Sequence, residues 1–117
     1  MGKPIPNVAQ ALVPPAKITD YLLSATHPIG RSKADFFRSC GFSIEQADVM
    51  ISALKKHATS HGATYSKPTP YGLKYIVEGE MITPARGAVP LCAIWFIEAG
   101  AEQPVFVTAY PSKRAKP

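Results

Sequence analysis

The hydrophobic period of the chain changes once, between residues 62 and 71, and that change sets what it can fold into. Before it, apolar residues recur at helical spacing: Ile18, Tyr21 and Leu22, then Ala47, Met50, Ile51, Leu54 and Ala58. After it, Tyr71, Leu73, Tyr75 and Val77 alternate with Gly72, Lys74, Ile76 and Glu78, which is strand periodicity. Helices followed by a run of strands predict an α+β fold. Two or three N-terminal helices should pack on one face of a three- or four-stranded antiparallel meander sheet.

Punctuation residues place the elements within this frame. Residues 1–14 are proline-rich and should lie extended as an N-terminal arm. Pro14-Pro15 opens a helix running to about Ser24, since proline fits a first helical turn. His27-Pro28-Ile29-Gly30 breaks it, and a second helix starts near Ser32, with Asp35 as a weak capping-box partner. Phe36, Phe37 and Cys40 should bury this helix and Gly41 should end it. Ser43-Ile44-Glu45-Gln46 reads as a capping box for a third helix that ends at Gly62. A short strand at 63–66 precedes the Pro68 and Pro70 turn. Leu91–Ile97 is apolar on both faces, so it should be a central strand, with Trp95 covered by Phe36 or Phe37 and by Leu54. Val105–Tyr110 is the last strand. The whole, residues 1–117, reads as one domain with a basic tail at 112–117.

Composition narrows the function classes. Apolar residues form 46% of the chain and charged residues 18%, an ordinary globular mixture. No apolar run approaches the ~20 residues that span a bilayer, and the N-terminus has neither a signal-peptide core nor a myristoylation signal. A cytoplasmic place of action, away from any membrane, is the expectation. Cys40 and Cys92 sit in apolar surroundings and read as buried thiols, with one disulfide as the alternative. The formal net charge of +5 suits an anionic partner, although many proteins that bind nothing acidic carry as much. His57 and His61 stand four apart on the third helix but lack the intervening glutamate of a zinc motif and a clear third ligand, so no metal is expected. Nor is there a glycine-rich phosphate loop, a nucleophile elbow or a C-x-x-C pair, and no cofactor is expected.

The stretch THPIGRSKADFF is where chemistry could sit. Pro28 holds His27 outside the helices, in front of a helix start whose free N–H groups favour phosphate. Arg31 and Lys33 add two cations there, where a purely structural sequence would sooner place acids. The functional reading is a phosphodiester site in which His27 moves a proton while Arg31 and Lys33 hold the phosphate. The structural reading is a capping histidine beside two solvated cations. On the last strand Thr108 and Tyr110 share a face, and the alternation adds Phe106 to it. Two hydroxyls in line could bond a phosphate; they are also good strand formers. Glu78 and Glu80 are a candidate acid pair or part of a solvated face.

The segments IPNVAQALVPPAKITDYLLSATHPIGRSKADFFRSCGF, YGLKYIVEGEM and QPVFVTAYP, in this order, resemble a family of small uncharacterised bacterial domains, with H-P-x-G-R-x-K-A-x-F-F as the most specific part. A looser resemblance is to the ribonuclease toxin superfamily of barnase, EndoU and RelE: helices before a meander, an early histidine, a following cation and a terminal Thr-x-Tyr. It implies a metal-independent endoribonuclease with His27 as general acid/base, Arg31 and Lys33 on the phosphate, and Thr108 with Tyr110 as supporting hydroxyls. It also implies RNA as the anionic partner and an acidic immunity or antitoxin protein as a second one. No residue plainly fills the place of the second acid/base that some of these enzymes use. A non-catalytic RNA- or protein-binding accessory module of a toxin or phage locus is the alternative.

Overall fold

The computed structural model describes residues 5–19, 23 and 31–112, with residues 31–33 as backbone. Among the described residues three α-helices, α1 (Pro15–Lys17), α2 (Arg31–Ser39) and α3 (Ala47–Ser60), precede four strands: β1 (Tyr65–Thr69), β2 (Gly72–Thr83), β3 (Gly87–Glu98) and β4 (Val105–Pro111). The strands form one antiparallel sheet in the order β1-β2-β3-β4. The fold is therefore α+β, a four-stranded meander with helices packed on it, as the change of period predicts.

Alternation along the strands makes two unlike faces. The inner face carries Val77, Met81, Leu91, Ala93, Trp95, Phe106 and Ala109, which join Ile18, Leu23, Phe37, Cys40, Met50, Leu54 and Ala58 in one buried core. Trp95 has no exposed surface and lies on β3, between β2 and β4, as its doubly apolar run requires. Phe106 meets it edge-on at 5.5 Å between ring centroids.

Phe106 corrects the strict alternation. The register of β3 against β4 slips between Ile94 and Trp95: Ile94 opposes Thr108, while Trp95 opposes Phe106. Val107 is the extra residue of a β-bulge, so Phe106 turns inward and is fully buried rather than joining Thr108 and Tyr110.

The helix starts also differ from their sequence signals. Ser43 makes no side-chain cap; it begins a 3-10 turn, Ile44–Gln46, closed by the Gln46 N–H on the Ser43 carbonyl at 3.2 Å, and α3 proper starts at Ala47. A backbone bond has taken the place that the capping box would fill. α2 begins at Arg31, which puts Ser32 inside it, and Asp35 faces Arg38 at 4.0 Å. The far end of α2 docks on the β2–β3 turn: the Ala85 N–H donates to the Cys40 carbonyl at 2.8 Å and Arg86 Nη1 to Ser39 Oγ at 3.2 Å. The arm before α1 runs beside β4, where Leu12 bridges to Val105 in parallel. Both cysteines are buried free thiols.

Candidate functional site on the outer sheet face

The other face of the sheet is not covered by α2 or α3. Its side chains fall in cross-strand rows fixed by the register. One row runs Lys67, Lys74, Phe96, Val105; the next runs Tyr65, Ile76, Ile94, Thr108; a third runs Glu78, Cys92, Tyr110. Cations thus lie at one end, hydroxyls along the β4 side and a carboxylate at the other end. Tyr65 is 54% exposed and Tyr110 39%, while Ile76, Ile94 and Phe96 are half-buried. The apolar residues that make β3 look doubly buried are on this side left partly open.

Thr108 and Tyr110 do leave β4 together on this face, as their spacing requires. The Tyr110 phenol is pushed up to about 12, first by its hydrogen bond with the Cys92 thiol, then by burial and by the nearby Cys92 and Glu78 charges. Near neutral pH it is a hydrogen-bond donor and not a proton acceptor. Arg31 and Lys33 stand in the first turn of α2, and their side chains fall outside the described part of the structure; His27 lies outside the described residues altogether. The structure accordingly unites Thr108 with Tyr110 and leaves His27, Arg31 and Lys33 as sequence-based assignments. It puts Glu78, one of the candidate acid pair, on the same face, and adds Lys67, Lys74 and Cys92, which belong to no motif in the sequence.

His57 and His61 have a different task. His57 is 2% exposed; its Nε2 donates to the Gly79 carbonyl at 3.2 Å, and His61 Nε2 donates to the Glu80 carbonyl at 2.8 Å. The rings lie 5.0 Å apart and pin the end of α3 to β2. A Cβ on Gly79 would stand 2.6 Å from the His61 ring, so the contact requires glycine there. Burial pushes the His57 imidazole down to about 4, against the pull of the Gly79 carbonyl. Among the described residues no group of three histidines, cysteines or carboxylates is arranged to hold a metal ion. No helix among them is long and apolar enough to cross a membrane.

Comparison with known proteins agrees with this architecture. A family model described as Domain of unknown function (DUF6883) matches residues 4–113. The chain belongs to this family. No curated protein matches it. Among solved structures it is similar to a chain of a contact-dependent growth inhibition toxin–immunity protein complex from Klebsiella pneumoniae 342, with a TM-score of 0.67 and 17% identity. The similarity covers 87% of this chain and 100% of that one. At that identity it is the fold that is shared.

Proposed function

We propose that this DUF6883 chain is a metal-independent ribonuclease-like domain of toxin type, which takes RNA on the outer face of its sheet. The observation that carries the reading is the face itself: two lysines, two hydroxyls and partly open aromatic and aliphatic side chains on a sheet whose other side holds the core. Lysines neutralise phosphates and aromatic faces stack unpaired bases, which together make a platform for single-stranded nucleic acid. The shared fold with a chain of a growth-inhibition toxin–immunity complex supports the toxin setting, with an acidic immunity or antitoxin protein as partner. The net charge of +5 supports both partners.

In the chemistry we assign, His27 moves the proton, Arg31 and Lys33 hold the phosphate, and Thr108 and Tyr110 donate hydrogen bonds to its oxygens. Attack by the 2′-hydroxyl makes RNA the substrate and leaves DNA intact. A second reading, a non-catalytic RNA-binding module, is favoured by the face itself: Lys67, Lys74 and the partly open aromatic side chains can hold RNA without His27. Incubating the purified chain with total RNA in excess EDTA, beside His27→Ala, separates the two. Cleavage by the wild type that the variant lacks supports the enzyme. RNA binding without cleavage supports the module, and neither binding nor cleavage would overturn both.

A further inference from the structure

A cleft of about 470 Å³ opens beside the basic row, where the β1–β2 and β3–β4 turns come together. Tyr71 and Phe96 line it with aromatic surface, and Lys17, Glu98 and Gln103 bring polar groups. The volume lies in the range of small-ligand sites, and an aromatic lining with few polar groups is their usual make-up.

The walls are held in place. Thr69 Oγ1 accepts the N–H groups of Tyr71 and Gly72, both at 3.1 Å, and donates to the Gly72 carbonyl at 2.9 Å. The Ala99 N–H donates to the Tyr71 carbonyl at 2.8 Å, which ties the two turns together. Gly72 has φ 152°, and a Cβ there would stand 2.8 Å from the Phe96 ring and 2.2 Å from the Ile97 carbonyl oxygen, so glycine lets the ring lie against the turn. On the other side Asn7 Nδ2 donates to the Glu102 carbonyl at 3.0 Å and Gln103 Nε2 to the Gln10 carbonyl at 2.9 Å. The N-terminal arm thereby fixes the β3–β4 turn.

We propose that this cleft binds a guanine base of single-stranded RNA, as a subsite of the outer-face platform on whose RNA reading the proposal rests. Three features argue for a base. Phe96 belongs both to the cleft and to the row of Lys67 and Lys74, so a strand lying along that row brings a base to the cleft. The aromatic surface suits stacking of an unpaired base. Lys67 and Lys74 supply cations for the flanking phosphates.

The polar groups argue for guanine. Guanine presents two adjacent donors, N1–H and the N2 amino group, beside the O6 acceptor. The Glu98 carboxylate accepts two hydrogen bonds side by side, and the Lys17 ammonium donates to an acceptor such as O6. The amide of Gln103, its nitrogen engaged with Gln10, offers its carbonyl oxygen as a further acceptor. Adenine, cytosine and uracil each present a single donor group on that edge and satisfy the carboxylate less well.

Mononucleotides test this directly, because they bind without being cleaved. Calorimetric titration of the full chain with GMP, AMP, CMP and UMP should show GMP binding on the order of tenfold or more tighter, the size of one bidentate base contact. Glu98→Gln, a surface substitution that keeps the shape, should erase that preference, and Tyr71→Ala should weaken all four nucleotides alike. Equal binding of the four, or a guanine preference that survives Glu98→Gln, overturns the proposal. If no mononucleotide binds while RNA is still bound or cleaved, the guanine subsite falls and the RNA reading stands. If RNA is not bound either, both fall.

Discussion

Thr108 and His57 show how differently two polar residues serve this chain. Thr108 is half-buried on the outer face beside Tyr110, and Thr108→Val removes its hydroxyl at nearly constant shape. If that hydroxyl donates to the phosphate, cleavage should slow by ~10²–10³-fold with little change in stability, as for loss of one oxyanion-type donor. Single-turnover cleavage of a labelled RNA measures it, and an unchanged rate removes Thr108 from the site. His57 instead makes stability depend on pH. Its folded pKa of about 4 lies below the ordinary 6.5, so between these values the unfolded chain binds a proton that the folded chain refuses. The stabilisation is complete above about pH 6.5 and falls as pH drops toward 4, by roughly 3 kcal/mol in all. Urea unfolding at pH 7, 5.5 and 4 should show the decline, and His57→Leu should flatten it. Gly79→Ala should destabilise by about 1–3 kcal/mol at any pH, because the new methyl group drives the His61 ring off β2.

Among the elements, β4 is where sequence and structure part most clearly. Strict alternation places Phe106 with Thr108 and Tyr110 on the open face, where truncation would cost little. The bulge at Val107 turns it into the core against Trp95, so Phe106→Ala should cost ~3–5 kcal/mol, as should Phe37→Ala, and chemical denaturation will show it. The helix/strand order and the central place of β3 were legible because period and doubled apolarity are properties of the residues themselves. The bulge was not, because it comes from a slip against a neighbouring strand that no local pattern encodes. The capping box at Ser43 failed for a related reason: S-x-x-Q is equally compatible with the 3-10 turn that forms. At the candidate site the sequence showed that Thr108 and Tyr110 share a face. It put Lys74 and Glu78 on one face of β2 by alternation but gave no sign that Lys67 on β1, Cys92 on β3 and the β4 hydroxyls lie beside them, since cross-strand neighbours are distant in the chain.

For the whole molecule, the sheet is a divider. One side carries the core and the helices, and the other carries Lys67, Lys74, Thr108 and Tyr110, with the proposed base cleft at its basic end. On the proposed reading RNA is held by this outer face and not by net positive charge alone. That reading is tested most directly by the affinity for a 2′-O-methyl single-stranded RNA, which cannot be cleaved. Lys67→Gln/Lys74→Gln should be compared with Lys55→Gln/Lys56→Gln, a pair of exposed cations on α3 that lowers the net charge equally. The sheet pair should weaken binding on the order of tenfold or more and flatten its salt dependence, while the helix pair should leave both close to wild type. Equal losses from the two pairs would contradict the proposed reading.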